Sequence, residues 1–319
     1  MKKFVLALAV LASVVFGGDF EDALTAYNNK NYQKAAELFQ KAADQGDAPA
    51  QFNLGVMYEY GIGIKRDLKK AVEFYQKAVD QGYALAQINL GKMYEHGRGV
   101  KRSAKKAAEL YQKAVDQGYA LAQFNLGVMY DNGVGVKQNV KKAAKFYRQA
   151  ADQGYAPAQF NLGVMYANGA GVMQNIKKAT ELYQKAADQG YAMAQFNLGV
   201  MYDNGVGVKQ NVKKAAKLYR QAADQGYAPA QFNLGVMYAN GAGGMQNIKK
   251  ATELYQKAAD QGYAPAQLNL GVMYYTGAGV KKDKIKSYHL LMKAAKQGIT
   301  KAQDNLDILC KESPWVCKQ

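Results

Sequence analysis

The chain has 319 residues and a formal net charge of +17, from 42 Lys and Arg against 25 Asp and Glu, so it is strongly basic. Only two histidines, His96 and His289, are present and neither is near the two cysteines in sequence, so no zinc site, and no other metal or cofactor, is expected. The charge favours anionic partners, but no nucleic-acid-binding motif and no aromatic platform outside the repeats is present, so nucleic acid is excluded as a partner class.

The N-terminus reads Lys2-Lys3, then a mostly apolar run from Phe4 to Phe16, then Gly17-Gly18 before the polar Asp19. Such a run is too short for a membrane span and has the basic start, apolar core and small-residue exit of a secretory signal. Residues 1–17 are therefore expected to be a signal peptide cleaved after Gly17, with an uncleaved anchor as the alternative. The mature chain would be periplasmic or secreted, with a net charge of +15 once Lys2 and Lys3 are gone.

Residues 18–46 predict a short helical hairpin. Phe20, Ala23, Leu24 and Tyr27 form one apolar stripe, and Tyr32, Ala35, Ala36, Phe39, Ala42 and Ala43 form the next. From residue 47 to 298 the chain repeats every 36 residues in seven units, marked by the phrase AQFNLGVMY at Ala122 to Tyr130. A period of this size indicates helix pairs that bury their apolar faces on one another.

In unit 119–154, helix A spans about 120–132. It is apolar on more than one face, which predicts burial. Gly127 lies in its middle, where glycine costs about 1 kcal/mol relative to alanine, so its recurrence predicts close approach by a neighbouring helix. Helix B spans about 140–153 and carries a single apolar stripe, so it belongs on the outside. Asn139 is the expected N-cap of helix B, with Asp67, Ser103, Asn175, Asn211, Asn247 and Asp283 as counterparts. Gly-x-Gly at Gly133-Val134-Gly135 is a turn, since no strand precedes it and no third glycine follows at phosphate-binding spacing. Residues 125–196 and 197–268 differ at only four positions, the trace of a two-unit duplication.

Two ladders are candidate binding features. Asn125 and Asn132 share a helix A face, and Asn161/Asn168, Asn197/Asn204 and Asn233/Asn240 repeat the pair. Rows of amides could hydrogen-bond an extended peptide, or the first of each pair could tie adjacent helices together. On helix B, Lys141-Lys142, Lys177-Lys178 and Lys213-Lys214 follow the cap, against the helix macrodipole. Either an acidic partner or a solvated face accounts for them.

Residues 299–319 are expected to form a final helix, about 299–311, and a segment carrying Cys310 and Cys317. A straight helix would hold the two cysteines about 10 Å apart, too far for a disulfide, but Pro314 permits a turn that could join them. A disulfide between Cys310 and Cys317 that closes the last helix is expected, with two free or intermolecularly paired thiols as the alternative.

These units resemble the Sel1-like repeats, relatives of the tetratricopeptide repeat, whose pattern A-x-x-x-LG-x-MY-x-x-G-x-GV…KA…YxKAAxQG is matched over about residues 47–298. The resemblance implies an all-α fold, a right-handed α-solenoid of antiparallel helix pairs, and a scaffold that binds a peptide or protein, acidic ones included. Neither a membrane span nor self-association is expected; a monomer is. An exported array of 36-residue units further resembles the Helicobacter cysteine-rich proteins, in which a cysteine pair staples each unit. Here Ala151 and Gln159, and likewise Ala187 and Gln195, fill those positions, so core packing must carry the stability. That resemblance also implies a β-lactam-binding protein or weak β-lactamase as an alternative. Ser103-Ala104-Lys105-Lys106 matches S-x-x-K, making Ser103 and Lys106 the catalytic candidates on that alternative. No S-D-N or K-T-G element accompanies them, and Ser103 occupies a capping position.

Overall fold

The computed structural model describes residues 18–318; the expected signal peptide lies outside the described residues. Seventeen α-helices and no strand occur among the described residues, and none of these helices is long and apolar enough to cross a membrane. They form two compact units, divided after Gln153.

The first unit holds α1 (Asp19–Asn28), α2 (Tyr32–Asp44), α3 (Ala48–Tyr60), α4 (Leu68–Asp80), α5 (Ala84–His96), α6 (Ala104–Asp116), α7 (Ala120–Asn132) and α8 (Val140–Asp152). The second holds α9 (Ala156–Asn168), α10 (Ile176–Asp188), α11 (Ala192–Asn204), α12 (Val212–Asp224), α13 (Ala228–Asn240), α14 (Ile248–Asp260), α15 (Ala264–Thr276), α16 (Lys284–Lys296) and α17 (Thr300–Glu312). Within each unit every helix packs on the next in sequence. This is the all-α solenoid arrangement in which sequence neighbours are also spatial neighbours.

From α3 on, odd-numbered helices are helix A and even-numbered ones helix B. Helix A is closed by a left-handed glycine: Gly133 has φ 68 and its N–H bonds the Met129 carbonyl at the end of α7. Two residues on, Gly135 (φ 74) lies so close to the Ala104 backbone that a Cβ there would collide with it, which accounts for the second glycine of Gly-Val-Gly. Helix B starts at the expected caps; Asn139, Asn175, Asn211, Asn247 and Asp283 each accept from the backbone N–H three residues on. α8 ends at Asp152, one residue before the expected end, with Gln153 as its C-cap. The last helix runs one residue later than expected at both ends, because Ile299 is its N-cap.

Each helix A is buried on several sides, whereas helix B keeps an exposed face of Lys, Gln and Asp. The mid-helix glycine makes room for the tyrosine of the helix B that follows. A Cβ on Gly127 would stand 2.8 Å from ring atoms of Tyr147, and Gly55, Gly91, Gly163, Gly199 and Gly235 meet Tyr75, Tyr111, Tyr183, Tyr219 and Tyr255 in the same way. Removing the side chain on one helix lets a large, fully buried ring seat on the other. After α17 the chain turns at Pro314 and brings Cys317 beside Cys310, Cα atoms 5.7 Å apart, a separation a disulfide spans.

Candidate functional site: the helix A face

The first row of asparagines is half-buried along helix A and the second row is exposed at its C-terminal end. The Asn89 amide donates to the Tyr75 hydroxyl at 3.3 Å, and Asn53 donates to the Pro49 carbonyl at 3.0 Å. The Asn125 amide nitrogen is buried with no hydrogen-bond partner in the protein. Asn197, Asn233 and Asn269 lie against the hydroxyls of Tyr183, Tyr219 and Tyr255, on the preceding helix B. Burial raises these three tyrosine pKa values, Tyr219 to about 12, and the asparagine amides oppose the rise. Asn132 donates to the Val128 carbonyl at 3.1 Å and is exposed, as are Asn168, Asn204 and Asn240. Each unit of the fold thus presents its own asparagines on one face: Asn125 and Asn132 in the first, and Asn161, Asn168, Asn197, Asn204, Asn233 and Asn240 in the second.

In the first unit the same tyrosines also donate to acids on their own helix A. The Tyr75 hydroxyl donates to Glu59 at 2.6 Å and Tyr111 to Glu95 at 2.7 Å; burial followed by the nearby carboxylate holds Tyr75 far above the ordinary tyrosine range. Glu59 is 5 % exposed at its side chain and takes an ion pair from Arg98 at 2.8 Å, so its charge is paired as burial demands. Lys92 stands where the other helix A segments carry valine or, in α17, isoleucine. Burial lowers its pKa, and Glu59 and Glu95 oppose that shift.

The lysine edge divides in two. The second lysine of each pair reaches back over the tyrosine that ends the Met-Tyr dipeptide of its own helix A. Lys142 lies over Tyr130 at 5.1 Å, Lys178 over Tyr166 at 5.3 Å and Lys214 over Tyr202 at 5.0 Å, and Lys70, Lys106, Lys250 and Lys286 repeat the contact. A cation over an aromatic face gains about 0.5–1 kcal/mol at an exposed site, which offsets the unfavourable dipole term. Lys141, Lys177 and Lys213 are exposed. Ser103 caps α6 and accepts from the Lys106 N–H at 3.4 Å, while the Lys106 ammonium sits over Tyr94 at 5.1 Å.

A third ladder escaped the sequence reading. Gln51, Gln87, Gln123, Gln159, Gln195, Gln231 and Gln267 are each at most 5 % exposed. Their side-chain oxygens accept from Gln81, Gln117, Gln153, Gln189, Gln225, Gln261 and Gln297 at 2.8–3.0 Å. The amide nitrogens of Gln195, Gln231 and Gln267 donate to the carbonyls of Ala187, Ala223 and Ala259 at 3.2–3.3 Å. Ala187 and Gln195 fill positions of the Helicobacter cysteine pair, so a buried hydrogen bond stands in place of a staple. The recurring Gln of AQFN and of DQG, 30 residues apart, was the available signal.

The pattern described as Sel1 repeat matches residues 29–47, 48–83, 84–119, 120–155, 156–191, 192–227, 228–263 and 264–299. The crystal structure of a protective antigen present in uropathogenic Escherichia coli strains, displaying an SLR fold, aligns with a TM-score of 0.80 and 35% identity, over 92% of this chain and 64% of that one. A Sel1 repeat protein from Oxalobacter formigenes aligns with a TM-score of 0.71 and 34% identity, over 92% of this chain and 88% of its own. Among curated proteins, HRD3 of Candida glabrata, an ERAD-associated E3 ubiquitin-protein ligase component, is 46% identical over 41 residues, which cover 13% of this chain and 5% of HRD3. The chain thus spans a small part of that curated relative and less than two thirds of the antigen. With matched repeats from residue 29 to 299 and the helix-pair stack that the two aligned structures share, this chain belongs to the Sel1 repeat family.

Proposed function

We propose that the protein is an exported, monomeric scaffold whose helix A face binds an extended segment of a partner peptide or protein. The observation that carries this reading is the exposed second asparagine row. Asn168, Asn204 and Asn240 recur at one register of α9, α11 and α13, where the fold does not bury them. An amide offers a donor and an acceptor together, which suits the alternating groups of a peptide backbone. The free lysines Lys141, Lys177 and Lys213 add attraction for acidic partners, and that part weakens as salt rises. HRD3 is named as an E3 ubiquitin-protein ligase component, which agrees with Sel1 repeats serving assembly. Export through the signal at 1–17 goes together with a disulfide between Cys310 and Cys317, since such bonds persist in oxidising compartments.

The test is a pull-down from envelope extracts with wild type and an Asn168→Ala/Asn204→Ala/Asn240→Ala variant. The variant is expected to keep its circular dichroism and lose the partner. Retention of the same partner at the same yield would show that the row takes no part.

A further inference from the structure

The units copy one another so closely that their departures carry information, and several departures meet in one place. A cleft of about 410 Å³ opens in the second unit between α13, α15 and α17, with Ile248 and Tyr255 of α14 also lining it. Leu268 and Val272 supply apolar surface to it, and Asn240, Asn269, Asn305 and Lys301 supply polar groups. At the register of Leu268 the preceding helix A segments carry Phe52, Ile88, Phe124, Phe160, Phe196 and Phe232. The Phe232 ring fills its site, with centroids 5.6 Å from both Tyr255 and Tyr263. Leucine is smaller than phenylalanine, and Leu268 is one of the residues that line the cleft.

The second departure is Lys301. At its register every earlier helix A carries proline or an aliphatic residue: Pro49, Leu85, Leu121, Pro157, Met193, Pro229 and Pro265. Lys301 is the one charged residue among those that line the cleft; Asp304 and Asp307 of the same helix are exposed and do not line it. Asn305 keeps the first-row asparagine and donates to the Lys301 carbonyl at 2.7 Å, which leaves its amide oxygen and second N–H for a ligand. An apolar floor with a few convergent polar groups and one cation is the composition of a selective pocket.

We infer that this cleft is a subsite for an acidic side chain flanked by aliphatic residues in an extended peptide. The aliphatic groups cover Leu268 and Val272, the carboxylate pairs with Lys301, and the asparagine amides take the peptide backbone. This deepens the reading of the helix A face as a peptide surface and rests on it. The charge on the ligand side is a Glu or Asp side chain, because a single lysine at an open rim complements a single carboxylate.

The test is isothermal titration of the full chain with an N-acetylated, C-terminally amidated peptide bearing Leu-Glu-Leu between glycines. Binding is expected to weaken by about tenfold or more in Leu268→Phe, which restores the ring, in Lys301→Glu, and when glutamine replaces the peptide's glutamate. Glu109→Gln, on the exposed face of α6, is expected to bind as wild type does. No binding by wild type, or undiminished binding by a folded Leu268→Phe variant, overturns the subsite. So does binding that appears only with a free peptide C-terminus, which would assign the carboxylate to the chain end. If the cleft variants bind normally and an Asn168→Ala/Asn204→Ala variant, which leaves Asn240 of the cleft intact, does not, the helix A surface stands and the cleft falls. The opposite pattern keeps the cleft and removes the row.

Discussion

Gln195 is held from both sides, donating to the Ala187 carbonyl at 3.3 Å and accepting from Gln225 at 2.8 Å. Its side chain lies where water cannot replace a lost partner. A typical hydrogen bond contributes about 0.5–1.5 kcal/mol, and truncating Gln195 removes two, although the Ala187 carbonyl still accepts from the Gly190 N–H and the exposed Gln225 amide still donates to the Gln221 carbonyl. Gln195→Ala is therefore expected to destabilise the second unit by about that amount, read as faster hydrogen exchange in α10 and α11. Exchange rates equal to wild type would show that the glutamine ladder contributes nothing. None of this is visible in a helical wheel, because the partners of Gln195 lie 8 residues back and 30 residues on, on other helices. The tyrosine seated on the mid-helix glycine in six of the seven full repeats, with Leu291 on Gly271 in the seventh, is the counter-example. A glycine recurring where it weakens its own helix implied close approach, although only the packing identified Tyr219 as the ring over Gly199.

At the scale of the element, two adjacent lysines at the start of α12 do different work. Lys213 is exposed at a helix N-terminus and opposes the macrodipole, whereas Lys214 lies over Tyr202 at 5.0 Å. Lys213→Glu is expected to raise the thermal midpoint, by about 0.3–1 kcal/mol of stability. Lys214→Glu gains the same dipole term but loses the cation over the ring, and should leave the midpoint at or below that of wild type. Equal midpoints for the two variants would show that the ring contact is energetically empty. Helix limits were legible almost residue by residue, since caps and left-handed glycines act within a turn of where they stand. The lysine pairs looked alike because a side chain's reach onto the neighbouring helix is decided by the turn between helices A and B.

For the molecule as a whole, the duplicated segments predict a deletion. Removing residues 197–268 joins Phe196 to Asn269 and brings Gln297 to the register of Gln225, so that Gln195 meets the same kind of partner again. Because repeat stability is close to a sum of unit and nearest-neighbour terms, the shortened chain is expected to stay monomeric and helical. Its ellipticity per residue should match wild type, and its melting should remain a single transition. An aggregated or partly unfolded product would mean that the contacts are not interchangeable.

The sequence by itself determined the period, the helix pairs, their caps and turns, and the apolar stripes that are buried. These depend on local backbone preference and on spacing along a single helix, which a linear string records. The tertiary structure decided which asparagine, glutamine and lysine side chains are used up inside the fold and which are left to a ligand. It also decided that Leu268, Lys301 and the asparagines of three helices share one cleft. Those outcomes depend on where separate helices place their side chains in space, and neighbours 30 or more residues apart are made by packing, not by sequence adjacency.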